Sequence, residues 1–92
     1  MSKPLFRLGQ IVATPGAMRA MSAAGTNGLE FLARHVRGDW GELSQEDKRE
    51  NDFSVREGFR ILSAYKLKTG VKIWIITEAD RSATTFLLPD EY

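Results

Sequence analysis

Hydrophobic and polar residues in the first quarter of the chain change from a strand pattern to a helix pattern. The segment LFRLGQIVAT alternates loosely and ends in an apolar run over residues 11–13, which predicts a short strand. A helix start follows, with Thr14 as the N-cap and Pro15 at the first helical position, where its missing N–H costs nothing. Apolar residues then recur at helical spacing as far as Gly25.

A second helix is predicted after the TNG turn, in which Asn27 is a candidate cap. Its apolar residues follow the spacing i, i+3, i+4, i+7 that is typical of one buried stripe: Leu29, Leu32, Ala33 and Val36. This spacing places Phe31 and His35 together on the flank of the stripe, and the helix ends at Gly38.

A strongly polar segment occupies the middle of the chain. The sequence SQED, which begins at Ser44, fits a capping box and opens a helix or loop through KREND. Almost no apolar residue occurs between Ser44 and Asp52, so we expect this segment to be a solvated cover. Phe53 and Val55 would attach its end to the body of the protein.

The last third of the chain has the two-residue period of strands. FRILSAYKL and VKIWIIT flank the sequence KTG, which predicts a hairpin with a three-residue loop. This loop pairs Tyr65 with Ile73 on one face and Lys66 with Lys72 on the other. A two-residue loop would pair Lys66 with Ile73 and mix the two faces. TTFLLP supplies a third strand that ends at Pro89.

The order of these elements predicts an α+β fold. Two to three helices would pack on one face of a three- to four-stranded antiparallel sheet that ends in a C-terminal meander. The chain has 92 residues, and because domains average about 100–150 residues, residues 1–92 are expected to form a single domain.

Composition excludes several classes of protein. Thirteen Lys and Arg residues against twelve Asp and Glu residues give a net charge of +1, which argues against an acidic DNA mimic and against a histone-like protein. There is no cysteine, and neither calcium-loop nor nucleotide-binding spacing occurs, so no metal and no cofactor is expected. No apolar run approaches the ~18 residues of a membrane span, so we expect a soluble, cytoplasmic protein without a membrane partner.

His35 is the only histidine, so any imidazole chemistry must use it. At the end of a helix it would lie near the negative pole of the helix dipole, which raises the pKa of the ring. Asp39, four residues later, could orient that ring. The alternative is a structural histidine that packs beside Phe31 with a hydrogen-bonded nitrogen.

The sequence TEADRSATTF combines groups that could act on a phosphate. Arg81 could bind a phosphate or a carboxylate, Thr84 and Thr85 could donate hydrogen bonds, and Glu78 could serve as a base. This set of groups suits a metal-independent ribonuclease. The alternative is a polar connection between two strands, in which Arg81 pairs with Glu78.

Two surfaces with aromatic residues are candidates for binding. Lys66, Lys72 and Trp74 project from one face of the hairpin, as in proteins that hold single-stranded nucleic acid, unless helices cover that face and Trp74 belongs to the core. Asp39 and Trp40 lie in a glycine-bracketed turn, where the indole would be an anchor for a partner or would fold back as a lid over the second helix.

Most of the chain takes part in a resemblance to a known family. The string LGQIVATPGAM, the motifs RHVRGDWG and GFRILSAY, and the stretch WIITEADRSATTFLLP resemble small proteins encoded on bacterial plasmids, phages and integrative elements. Members of that family carry labels such as plasmid-related protein or type I restriction subunit. The resemblance implies a mobile genetic element as the setting, and it implies no mechanism.

The layout is also similar to that of compact ribonuclease toxins of the barnase, colicin and RelE-like type. Those enzymes often use a histidine, an arginine and hydroxyl groups over a sheet. The resemblance implies such roles for His35, Arg81 and either Thr84 or Thr85.

These observations lead to one main interpretation and two alternatives. The main interpretation is a mobile-element accessory protein that binds a macromolecule, with Trp40 and Arg81 as anchors for a protein partner. Inhibition of a host defence system, in the manner of anti-restriction or anti-CRISPR proteins, is its most concrete form. The alternatives are a ribonuclease with His35 or Glu78 as base, and a homo-oligomer or subunit that pairs through a sheet edge.

Overall fold

The computed structural model describes residues 3–92. Its elements in chain order are β1 (Gln10–Ala13), α1 (Pro15–Ala23), α2 (Leu29–Val36), α3 (Gln45–Glu57), β2 (Ile61–Lys66), β3 (Lys72–Thr77), β4 (Ala83–Leu87) and a short 3-10 helix (Pro89–Glu91). The strands form one sheet in the order β1-β4-β3-β2. None of the helices within residues 3–92 has both the length and the hydrophobicity that crossing a membrane requires.

The predicted α+β class is confirmed, but the sheet is mixed. β2, β3 and β4 form the expected antiparallel meander, whereas β1 runs parallel to β4. A parallel pair needs a long connection, and the helices and hairpin between β1 and β4 provide it. Because β1 joins the far side of β4, the sheet ends in β1 at one edge and β2 at the other.

The predicted register of the hairpin is confirmed. Tyr65 pairs with Ile73 and Lys66 pairs with Lys72 across β2 and β3. Gly70 adopts a φ of 92° in the connecting loop, a conformation that glycine reaches without strain. We call the face that carries Tyr65 and Ile73 the inner face of the sheet, and the face that carries Lys66 and Lys72 the outer face.

The hydrophobic core lies between the inner face and the helices α1 and α2. It contains Ala17, Met21, Phe31, Leu32, Tyr65, Leu67, Ile73, Ile75 and Phe86. At about 25 cal/mol per Å² of apolar surface removed from water, these side chains are the main source of stability.

The buried stripe predicted for α2 is wrong by one position. Phe31, Leu32 and His35 are buried, whereas Leu29 is 63% exposed. The reason lies at Gly28, where a Cβ atom would come within 2.8 Å of the Phe86 ring. Because the start of the helix packs tightly on Phe86 there, positions i+3, i+4 and i+7 from Gly28 turn inward.

The polar segment forms α3, whose N-cap follows the sequence prediction. Ser44 accepts a hydrogen bond from the backbone N–H of Asp47, as Thr14 does from that of Ala17 at the start of α1. Within α3 only Asn51 and Ser54 are buried. This helix packs against β2, away from the core that α1 and α2 cover, so it is largely the solvated element that the sequence predicts.

Candidate functional site

His35 lies in the interior, in a chain of hydrogen bonds that crosses the sheet. Its Nδ1 is 2.5 Å from Oγ of Ser63, and its Nε2 is 2.8 Å from Oγ1 of Thr77. Thr77 contacts Oγ1 of Thr84 at 2.7 Å, and Thr84 donates to the carbonyl oxygen of Leu8 at 2.7 Å. The four side chains of this hydrogen-bond network have no exposed surface: His35, Ser63, Thr77 and Thr84.

The carbonyl of Leu8 sets the direction of every bond in this chain. A carbonyl only accepts, so the single hydroxyl hydrogen of Thr84 points to Leu8, and Thr77 must donate to Thr84. The ring of His35 therefore donates from Nε2 and accepts from Ser63 at Nδ1. Both nitrogens of the neutral ring are engaged.

Burial lowers the pKa of His35 to about 3, with a further lowering from the charge of Arg81. The expected rise of this pKa at the end of a helix is therefore wrong, because desolvation of the ring outweighs the helix dipole. A ring with both nitrogens bonded and no exposed surface cannot take a proton from a substrate. The structure gives His35 a structural role, which is the alternative that the sequence left open.

Asp39 and Trp40 do not form an exposed binding turn with His35. Asp39 is paired with Arg34 at 2.7 Å, a hydrogen bond that lowers the pKa of the carboxyl group, so this carboxylate does not orient the imidazole. Trp40 is only 3% exposed, and its ring lies 5.9 Å from that of His35. Its indole N–H donates to Asp52 on α3. The use of Trp40 as an exposed anchor is therefore wrong, because the ring folds back onto the interior.

Arg81 binds backbone carbonyl groups of its own chain. It donates to the carbonyl oxygens of Phe59 at 2.7 Å, Ser54 at 3.0 Å and Glu78 at 3.1 Å. Its guanidinium group lies 5.5 Å from the centre of the Phe6 ring. Arg81 therefore ties the β3–β4 turn to the end of α3, and most of the guanidinium is already engaged.

The Phe6 ring fills the space between Arg81 and the buried histidine. It lies edge to face with the ring of His35 at 5.2 Å and stacks on Trp40 at 6.3 Å. The catalytic pair predicted from the sequence is thus close in space but separated by an aromatic side chain, with no open cleft between the two groups. Phe6 had no role in the sequence prediction because nothing near it in the sequence reports this contact.

The other predicted catalytic residues are divided between the two faces of the sheet. Thr84 is buried on the inner face, while Thr85 pairs with Ile76 on the outer face. The carboxylate of Glu78 pairs with Arg60 at 3.5 Å, and Arg81 bonds only the backbone carbonyl of Glu78. The structure does not bring these groups together as an acid–base site.

The predicted surface of Lys66, Lys72 and Trp74 does exist on the outer face. Lys66 lies directly opposite Lys72, and Trp74 opposite Ala64, in the next pair along the hairpin on that face. Both lysines are exposed and Trp74 is half-buried. Two like charges directly opposite each other weaken a hairpin, so this part of the outer face is not optimised for stability.

The fold covers the sheet edge formed by β2. Asn51 of α3 donates to the carbonyl oxygen of Leu62 and accepts from its N–H. Ala64 lies two residues further along β2. Its N–H donates to the carbonyl oxygen of Trp40, and its carbonyl oxygen accepts from the N–H of Glu42. All four outward-facing backbone groups of Leu62 and Ala64 are thereby paired.

The opposite edge, formed by β1, is open within residues 3–92. The N–H groups of Gln10 and Thr14 bond to β4 at 3.0 Å, and alternation along a strand then directs those of Ile11 and Ala13 outward. No group of the described chain bonds these outward N–H and C=O groups. The stretch from Leu8 to Met18 carries no charged residue, although natural edge strands are commonly protected by charge.

An apolar groove of about 490 Å³ runs beside this edge and is lined by Ile11, Val12, Ala13, Met18, Met21 and Phe86 among others. Ile11 is 44% exposed and Met18 is 59% exposed. We call this feature the methionine groove. Methionine side chains are flexible and adapt to different partners, so groove and edge together form the candidate binding site.

The sequence prediction missed this site, although it contained a usable signal. The uncharged stretch over β1 and the start of α1 is visible in the sequence, but whether a strand lies at an edge depends on its pairing with a distant strand.

In comparisons with protein-family models, curated proteins and solved structures, nothing matches this chain.

Proposed function

We propose that this protein binds another protein by adding a strand of its partner to β1. The observation that supports the proposal is the open, uncharged edge of β1 beside the methionine groove. The contrast between the two edges strengthens it, because four hydrogen bonds pair the outward backbone groups of β2 at Leu62 and Ala64. An edge left open without protecting charges is suited to pairing.

The backbone of β1 supplies the affinity in this proposal. Ile11 and Ala13 each present one N–H and one C=O toward the open side, so an extended segment can form up to four hydrogen bonds with them. These bonds do not depend on the partner's sequence, which is the usual basis of strand addition.

The methionine groove supplies the selectivity. Side chains alternate across a strand, so every second residue of an added segment would lie on the side of the groove. Met18 and Met21 line it and favour apolar side chains there. We therefore expect bound segments to carry apolar residues at alternating positions.

A finer form of the proposal names the partner. The resemblance to proteins of plasmids and phages favours a host protein, and inhibition of a defence nuclease is the form that we propose. Restriction of an incoming plasmid in cells that express the chain tests this form. Unchanged restriction would contradict the finer form and leave strand addition to be judged by the binding experiment below.

The binding experiment is a selection of random 12-residue peptides on the immobilised chain. The test variant is Ile11→Pro, which removes an outward N–H while every hydrogen bond to β4 is kept. The matched control is Ile11→Thr, which shortens the same side chain and keeps the N–H. We expect wild type and Ile11→Thr to enrich peptides with alternating apolar residues, and Ile11→Pro to lose about tenfold or more in affinity for them.

Two outcomes would contradict the proposal. One is equal enrichment on Ile11→Pro and Ile11→Thr, since binding would then not use the edge. The other is a wild-type chain that enriches no peptide family. Light scattering on the wild-type chain is run in parallel, because a dimer that Ile11→Pro abolishes would identify a second copy of the chain as the added strand.

A further inference from the structure

A second cleft lies on the outer face of the sheet, away from β1. The helices α1 and α2 cover only the inner face, and α3 leaves a space of about 390 Å³ between itself and the outer face. Leu62 and Trp74 line it from the sheet, and Leu43 lines it from the segment before α3. A volume of this size is in the range of ordinary ligand pockets. We call it the outer cleft.

The charged groups of the outer cleft are mainly acidic. Asp47 and Glu50 reach it from α3, where a spacing of three places them on one side of the helix. The ion pairs within residues 3–92 are Arg34 with Asp39 and Arg60 with Glu78, so neither carboxylate has a cationic partner there.

Arg60 is the cation at the rim, and it is directed away from these carboxylates. Its guanidinium group donates to the hydroxyl oxygen of Tyr92 at 2.7 Å and pairs with Glu78 at 3.5 Å. Among the charged groups that line the cleft, those without an ion-pair partner within residues 3–92 are therefore Asp47 and Glu50, which favour a positive charge.

Aromatic rings supply the second element of a cation site. Trp74 is half-buried beside the cleft, and Tyr92 packs edge to face on it at 5.8 Å. The face of an indole ring is the best of the side-chain surfaces for a cation. An apolar wall with an indole and two unpaired carboxylates is complementary to a planar cation on a long apolar stem.

We infer that the outer cleft binds an arginine side chain of a basic peptide segment. The guanidinium group would lie against the indole of Trp74 and donate to the carboxylates of Asp47 and Glu50, with the methylene stem along Leu62. Charge complementarity carries the choice of occupant, since a phosphate in this cleft would face two carboxylates. The inference is independent of strand addition at β1.

NMR titration of the Trp74 indole N–H resonance tests this inference. The probe is acetylated tetra-arginine amide, and tetra-citrulline amide serves as its neutral isostere. We expect the arginine peptide to shift the resonance to saturation and the citrulline peptide to leave it in place. Trp74→Phe identifies the resonance, because the chain has two tryptophans.

Two double variants with the same net charge distinguish binding in the outer cleft from general electrostatic attraction to α3. The double variant Asp47→Asn with Glu50→Gln should lower the affinity for the arginine peptide by about tenfold or more, because charge-assisted hydrogen bonds are lost. Glu46→Gln with Glu57→Gln removes the same charge from α3 residues that do not line the cleft and should change the affinity less than about twofold.

Three results would overturn the inference. The first is a saturating shift with the citrulline peptide. The second is an equal loss of affinity in the two double variants, which would show attraction to the whole helix only. The third is a shift of the same resonance by an oligothymidylate in preference to the arginine peptide, which would assign the outer face to nucleic acid through Lys66 and Lys72.

Discussion

Lowering the pH from 7 to 5 is expected to reduce the free energy of unfolding by about 2 kcal/mol through His35. The folded state holds the pKa of this ring at about 3, against an ordinary value of 6.5. Well above pH 6.5 the ring is neutral in both states and contributes no pH dependence. Between pH 6.5 and about 3 only the unfolded chain takes up the proton, so stability falls as the pH falls.

The size of the effect follows from the width of this window. Each pH unit inside it corresponds to about 1.4 kcal/mol, and the chain has one histidine. Carboxylates add to the loss below about pH 5, where they begin to protonate in the unfolded state. The interval from pH 7 to pH 5 therefore isolates His35.

Urea unfolding at several pH values, with wild type and His35→Gln, measures this prediction. Glutamine can donate to Thr77 and accept from Ser63, but it does not titrate. The free energy of unfolding of His35→Gln should therefore be nearly constant from pH 7 to pH 5. His35→Leu leaves both hydroxyl groups without their partner and should be destabilised by about 3 kcal/mol at pH 7. A wild-type curve as flat as that of His35→Gln would contradict the buried neutral histidine.

Gly41→Ala is expected to destabilise the fold by about 4 kcal/mol. Gly41 forms a bridge with Ala64 at the edge of β2 and has a φ of 76°. An added Cβ atom would overlap the carbonyl oxygen of Ala64 and come within 2.7 Å of the Tyr65 ring. The segment that closes this edge would have to move away, and the backbone groups of Ala64 would lose their partners.

Gly58→Ala is the matched control for this substitution. Gly58 ends α3 with a φ of 78°, and nothing lies within 4 Å of the position of its Cβ atom. Its replacement should cost only the conformational strain of about 1–2 kcal/mol. Urea unfolding of both variants gives the difference between them, and equal losses would show that close packing of Gly41 on β2 is not needed. We also expect Gly41→Ala to self-associate, because it opens a second sheet edge.

Local spacing was enough to predict most of the elements. The cap at Thr14 and the hairpin register that pairs Tyr65 with Ile73 both rest on residues close in sequence. The spacing predicts the wrong face of α2, because it places His35 on the flank of the buried stripe. The burial of His35 on α2 depends on the hydroxyl groups of Ser63 on β2 and Thr77 on β3.

The candidate site was harder to predict than the helices and strands, because it depends on contacts between residues far apart in the sequence. Trp40 is buried because Phe6 and His35 pack on it, and neither contact has a local signature. Likewise, β1 is an edge because it lies beside β4, more than seventy positions away in register. Patterns of neighbouring residues predict which segments are strands, but they do not predict which strand remains without a neighbour.

Amide exchange at Ile11 and Ala13 is the measurement that tests strand addition most directly. It is followed by NMR in the chain alone and in complex with a selected peptide. We predict that both amides exchange rapidly in the free chain and slow by about tenfold or more in the complex, while the Val12 amide, which faces β4, changes little. A bound peptide that leaves exchange at Ile11 and Ala13 unaltered would contradict the proposed role of β1.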